Sequence, residues 1–188
     1  MIAIGSDHAG FELKQAVKAH LEEREIEYED FGCFSDESAD YAVYAEKVGR
    51  AVVGGKFEKG LLFCGTGVGI SIAANKVKGI RACCCSDRFS AEATRLHNDA
   101  NVLCLGGRVV SDRKAIELVD LFLDTKFSGE ERHMRRINQI SEIEERFGKE
   151  IKDENPNDPA ETKADAETAD ANVSEETVTE EKKEESAE

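Results

Sequence analysis

The sequence predicts an α/β fold, five parallel strands in one sheet with helices on both faces. Three observations carry this. Short apolar runs alternate five times with segments whose apolar residues recur at helical spacing. Most of the runs are nearly free of polar residues, as strands are when both faces are covered. Glycines close most of the elements.

Met1 to Gly5 is the first strand, and Phe11, Leu13, Val17 and Leu21 make the stripe of the first helix. Ile26 to Phe31 is the second strand, closed by Gly32. Tyr41, Tyr44, Ala45, Val48, Ala51 and Val52 form the next stripe, ended by Gly54-Gly55. Gly60 to Cys64 reads as a buried strand, and Val68 to Val77 as a helix ended by Lys78-Gly79. Ile80 to Cys85 is a strand followed by a helix over Arg88 to Leu96. Asn101 to Leu105 is the fifth strand, stopped by Gly106-Gly107. Two helices follow, Asp112 to Leu123 and Gly129 to Phe147. Right-handed crossovers bring every strand-to-helix loop to one edge of such a sheet, a Rossmann-like three-layer sandwich. Ligands bind at that edge, and the unusual residues of the chain are all expected there.

The chain has 188 residues and a net charge of −15. Residues 149–188 hold 5 basic and 15 acidic residues, a net of −10, which leaves 20 against 25, a net of −5, in residues 1–148. Two segments are therefore expected: a folded domain over 1–148 and an acidic tail over 149–188. The tail carries too few core-forming side chains to offset its ordering entropy, so disorder is expected. A mildly acidic domain argues against a nucleic-acid partner. No apolar run approaches the roughly 18 residues of a membrane span. Met1 to Asp7 lacks the basic leader of a signal peptide. The six cysteines include no CxxC pair, so reduced thiols in a cytoplasmic protein are expected, with no structural metal site.

Four groups of residues carry candidate chemistry. Ser6-Asp7-His8-Ala9-Gly10 follows the first strand. Its carboxylate and imidazole beside a helix start suit hydroxyls and an anion, or else Ser6 or Asp7 caps the helix. Cys64-Gly65-Thr66-Gly67-Val68-Gly69 follows the third strand. Glycines at 65, 67 and 69 let successive N–H groups point into one concavity that favours negative charge. The segment is neither a dinucleotide fingerprint, since position 70 is Ile, nor a Walker loop. Cys64 at its mouth is a candidate nucleophile or base, because a helix N-terminus lowers a thiol pKa. Cys83, Cys84, Cys85 and Cys104 read as small apolar fillers. His97-Asn98-Asp99-Ala100-Asn101 is either a proton-shuttling group or a turn whose Asn and Asp bind their own backbone. Arg108, Arg132, His133, Arg135 and Arg136 form a basic set. Arg132 and Arg136, four apart, share one helix face and suit a phosphate dianion, or else form a solvated face.

Together, Gly5 to Phe11, Asp40-Tyr41, Cys64 to Lys76, His97 to Asn101, Gly107-Arg108-Val109, and Arg132-His133 with Arg136 resemble the ribose-5-phosphate isomerase B and galactose-6-phosphate isomerase family. The resemblance spans about residues 1–146 and leaves out the acidic tail. It implies an isomerase that interconverts aldose and ketose phosphates without metal or organic cofactor. Ribose 5-phosphate and ribulose 5-phosphate are the usual pair, which places such an enzyme in the non-oxidative pentose phosphate pathway. It also implies a homodimer or homotetramer with active sites shared across a subunit interface. By the same resemblance, Cys64 is the base moving the proton between C1 and C2, and Thr66 assists at the sugar oxygens. The amides of Gly65, Gly67 and Gly69 hold the enediolate. His97 opens the furanose ring, with Asp7 on the ring-oxygen side. Tyr41 and Asn98 contact sugar hydroxyls, and His8, Arg108, Arg132 and Arg136 hold the phosphate. Position 42 is Ala where the family often has Pro, a change confined to a turn. Some members replace the cysteine with a Glu from the next helix, but Ile70 to Ala74 contains no acid, which favours Cys64. The alternatives are a hexose-6-phosphate (galactose or allose) isomerase, a non-catalytic phosphosugar-binding regulator, and a thiol redox protein. The last needs a resolving cysteine near Cys64.

Overall fold

The structure, a computed structural model, describes residues 1–150, with the backbone alone for 147–150. Each apolar run becomes a strand and each helical stripe a helix. The order is β1 (Ile2–Ser6), α1 (Phe11–Glu23), β2 (Tyr28–Asp30), α2 (Tyr41–Val53), β3 (Lys59–Cys64), α3 (Val68–Ala74), β4 (Ala82–Cys84), α4 (Arg88–Asn98), β5 (Val102–Gly106), α5 (Asp112–Asp124) and α6 (Glu131–Glu150). Apart from the last two residues of α6, the expected tail lies outside the described residues.

The five strands pair in parallel in the order β2-β1-β3-β5-β4. This is the expected α/β architecture. Side chains alternate across the sheet and sort the core into two layers. Ile2, Ile4, Leu61, Phe63, Leu103 and Leu105 pack with Leu13, Val17, Leu118 and Phe122 of α1 and α5. Ala3, Leu62, Cys64, Val102 and Cys104 pack with Ala45, Val48, Ile70 and Ala74 of α2 and α3. The largest of these side chains are shielded from water; a fully buried Leu or Phe contributes about 1.5–3 kcal/mol relative to exposure.

Two elements are shorter than their apolar runs. β2 and β4 form the edges of the sheet, and only Tyr28–Asp30 and Ala82–Cys84 find partners, opposite Ile2–Ile4 and Val102–Cys104. The helix expected to reach Val77 ends at Ala74 because Asn75 diverts the backbone. Its Nδ2 donates to the Ser71 and Ala82 carbonyls at 3.0 and 2.9 Å, and its Oδ1 accepts from the Ala82 amide at 2.8 Å. Such local side-chain bonds compete with helix continuation. Side chains cap α4 and α5. Asp87 accepts from the Ser90 amide at 2.9 Å, and Ser111 caps α5 through the Lys114 amide.

One buried charge anchors the segment after β2. Lys14, wholly buried on α1, donates to Asp30 Oδ1 at 2.9 Å and to the Cys33 carbonyl. Lys18 holds the other oxygen of Asp30 at 2.9 Å. Among the described residues no helix is long and apolar enough to cross a membrane.

Candidate active site

The order of strands reverses between β1 and β3, so their carboxyl ends open the crevice where ligands bind in such sheets. Three loops interlock there through their backbones. The Asp7 amide donates to Phe63 O at 3.0 Å, Gly107 to Cys64 O at 2.8 Å, and Arg108 to Gly65 O at 3.0 Å. Two glycines make the fit possible. Gly67 has φ +79°, and a Cβ at Gly106 would lie 2.6 Å from the carbonyl carbon of Thr66.

Within this frame Cys64 forms the floor, 4% exposed, and its Sγ accepts the Gly67 amide at 3.1 Å. The sulfur therefore meets a backbone donor at the loop and is not sealed among side chains alone. Thr66 stands exposed beside it, its Oγ1 accepting the Val68 amide at 3.3 Å. The Tyr41 ring lies over Gly69, 2.9 Å from where a Cβ would stand. Arg108 Nη1 comes within 3.5 Å of the same position on Gly65. α3 has only 7 residues, so the nearby amides outweigh any dipole of a longer helix.

Asp7 is buried and caps the turn that leads into α1, with Oδ1 accepting the Gly10 amide at 3.0 Å. The capping role weighed from sequence is thus real for one of its oxygens. His8 Nδ1 accepts the Ala39 amide at 3.1 Å. The Ala39 carbonyl lies 3.3 Å from the same nitrogen, so either tautomer of the ring finds a partner in that residue.

The other expected residues lie elsewhere. His97 and Asn98 end α4, immediately before β5. A helix that returns to the start of a parallel strand ends at the amino edge of the sheet. His97 and Asn98 thus lie across the sheet from Cys64, about 15–20 Å away along strands of five or six residues. The expectation that all unusual residues share the carboxyl edge is corrected here. The reason is chain direction: this group leads into a strand and does not follow one. Arg132 and Arg136 are exposed on α6 and belong to the His97 group. The link is His133, whose ring stacks on that of His97 with centroids 4.4 Å apart and planes 14° from parallel. Arg81 and Arg95 hold the turn after His97. Arg81 donates to the Asn98 and Asp99 carbonyls, and Arg95 pairs with Asp99 at 2.8 Å. Asp99 has φ 43°, so the turn also contains a left-handed residue.

Sequence reasoning missed three contributors: the His133 stack, the Arg81–Asp99 brace and the Lys14 anchor. Lys14 and Arg81 showed only as polar residues within apolar runs, and His133 only as one member of the basic set.

Of the cysteines read as fillers, Cys85 and Cys104 are buried but Cys84 is exposed, its Sγ near the Thr66 carbonyl. Burial raises the thiol pKa of both Cys84 and Cys104. Cys64 is opposite Gly106 and Cys84 opposite Cys104, on the two sides of β5. Two strand spacings and a two-residue offset along β5 put their Cα atoms about 11–12 Å apart. That exceeds the roughly 7 Å limit for a disulfide, so Cys84 is not a resolving partner for Cys64. A groove of about 620 Å³ between α2 and α3, lined by residues that include Arg50, Val53, Lys76 and Lys78, contains none of the candidate side chains. Among the described residues no group of three His, Cys, Asp or Glu is placed to hold a metal ion.

Residues 2–140 match the family model described as Ribose/Galactose Isomerase. Ribose-5-phosphate isomerase B of Escherichia coli K12 is 51% identical over 145 residues, 77% of this chain and 97% of that protein. The solved structure of Clostridium thermocellum ribose-5-phosphate isomerase B superposes with a TM-score of 0.76 at 47% identity, covering 78% of this chain and 98% of that one. The enzyme of Mycoplasma genitalium, solved with bound ribulose 5-phosphate, gives a TM-score of 0.72 at 41% identity, covering 77% and 95%. The chain belongs to the ribose/galactose isomerase family.

Proposed function

We propose that the protein interconverts ribose 5-phosphate and ribulose 5-phosphate through an enediolate, with Cys64 as the base. The observation that carries this is the contact of the Cys64 sulfur with the Gly67 amide, in a loop of backbone donors at the strand-order reversal. A carbon acid beside a carbonyl ionises only if the enediolate is stabilised, and preorganised N–H donors supply much of such stabilisation. Cys64 takes the proton from C2 of the open aldose and returns it to C1. The proton on O2 passes to O1 as the C2 carbonyl forms. Thr66 and the amides of the loop attend the oxygens. His8 and Arg108 meet the phosphate.

The site is completed by a second copy of the chain. His97, Asn98, Arg132 and Arg136 belong to the opposite sheet edge, farther from Cys64 than a five-carbon sugar phosphate reaches. A two-fold dimer brings the amino-edge group of one chain to the crevice of the other twice over. His97 then opens the furanose ring, and the two arginines, one turn apart, supply the remaining positive charge for the phosphate. The relatives named for ribose-5-phosphate isomerase B support the five-carbon substrate.

The test is a turnover assay by NMR, with chelator present, on ribose 5-phosphate, galactose 6-phosphate and allose 6-phosphate. Preferred conversion of ribose 5-phosphate is expected. A clear preference for either hexose overturns the substrate, and binding without conversion overturns the enzyme.

A further inference from the structure

We propose that His133 is a positioning residue for His97 and thereby serves the ring-opening half of the reaction. The inference rests on the reading of His97 given above.

His133 is 4% exposed on α6, and its ring lies flat on that of His97 at 4.4 Å. Its Nε2 has no hydrogen-bond partner among the described residues. The nearest recorded carboxylate oxygen, Oε1 of Glu130, is 4.0 Å away, too far for a hydrogen bond. A buried polar atom without a partner costs stability, so simple packing would favour an apolar side chain here. The backbone holds the pair together, since the Ser128 amide donates to Leu96 O at 3.2 Å and ties the end of α4 to the turn before α6.

Burial lowers the pKa of His133, the charges of His97, Arg132 and Arg136 act in the same direction, and Glu130 opposes them. His133 therefore stays neutral near pH 7. A neutral ring stacks on His97 whether or not His97 holds an extra proton, whereas two imidazolium rings would repel. His133 thus gives His97 a fixed plane without competing for the proton. Ring opening needs that plane. The C1–O4 bond breaks, O1 gives up a proton, O4 gains one, and His97 carries it between two oxygens on the same carbon side. A tilted ring reaches one oxygen and misses the other.

The test separates ring chemistry from proton abstraction. Ribulose 5-phosphate is acyclic, because the oxygen that would close a five-membered ring on C2 carries the phosphate. Exchange of its C1 hydrogen with solvent deuterium needs Cys64 but no ring opening. His133→Leu is expected to lower kcat on ribose 5-phosphate by about tenfold or more through misorientation, with KM and deuterium incorporation little changed. His133→Phe, which restores a flat ring, is expected to recover most of the rate. Equal loss in both reactions, a raised KM as the main effect, or a Phe variant no better than Leu overturns the proposal. His133→Asn, polar but without a ring, replaces the Leu variant if that folds poorly and is judged by the same outcomes. A wild-type protein inert on ribose 5-phosphate would instead refute the function on which the proposal rests.

Discussion

The two edges of the sheet are built by different means. At the carboxyl edge, loops after β1, β3 and β5 bind one another through backbone amides and carbonyls, and Cys64 is set into the core layer beneath them. At the amino edge, His97 and the arginines project from helix ends and an outer helix, held by side-chain stacking and a few ion pairs. The first region is tied together by the backbone of the fold itself. The second presents exposed arginines, of which Arg132 pairs with Glu130 at 2.7 Å. The contrast teaches that backbone pairing fixes the crevice around Cys64, whereas the His97 group is placed by side-chain contacts.

The largest effect comes from breaking the backbone-tied half. Cys64→Ala removes the proposed base and is expected to lower kcat by about 10²–10⁴-fold while phosphate binding persists; isothermal titration beside a turnover assay checks both. Mixing this variant with His97→Asn sharpens the comparison. If each site draws on two chains, half of randomly mixed dimers are hybrids with one intact site, and about a quarter of wild-type activity returns. A site built within one chain regains nothing.

Gly106→Ala attacks the same half without touching a reacting group. The new Cβ would stand 2.6 Å from backbone that cannot yield, so the Thr66 turn must shift. A shift of about 1 Å in such a loop costs on the order of 100-fold in rate, with a smaller loss of thermal stability; kcat and a melting curve separate the two. This frame was partly legible in the sequence. Cys64 to Gly69 announced itself by glycines at alternate positions after an apolar run. That Gly106, two strands along in the chain, closes over Thr66 depends on β5 lying beside β3, and strand order has no local signature. The misplacement of His97 has a different cause. Its residue types resemble those of a catalytic loop, but the edge on which it sits follows from chain direction, which residue type does not encode. His133 was legible only as one member of a basic helix face; its stacking depends on how α6 crosses the end of α4.

Lys14→Met tests the support beneath the backbone-tied half. The substitution keeps the apolar stem but leaves the Cys33 carbonyl without its donor and Asp30 with Lys18 alone. A loss of about 2–3 kcal/mol is expected, the worth of hydrogen bonds made to a charged group. Urea denaturation measures it. A change under 0.5 kcal/mol, typical of surface sites, would mean that the buried ammonium contributes nothing to the segment flanking His8.

The smallest effect lies at the amino edge and depends on pH. Burial is the main reason that His133 has a folded pKa below its unfolded value of about 6.5. Below that pH the unfolded chain takes up a proton that the folded chain resists. The stability associated with the neutral ring is therefore present above about pH 6.5 and is lost as pH falls below it. His133→Phe removes this proton uptake, so its stability is expected to decline less than that of the wild type between pH 7.5 and 5. Differences between paired denaturation curves cancel the contributions of His8, His20 and the carboxylates, which both proteins share. Parallel pH profiles would mean that the ring of His133 accepts a proton in place, and the stacked pair would then be a charged contact in which His133 competes for the proton of His97.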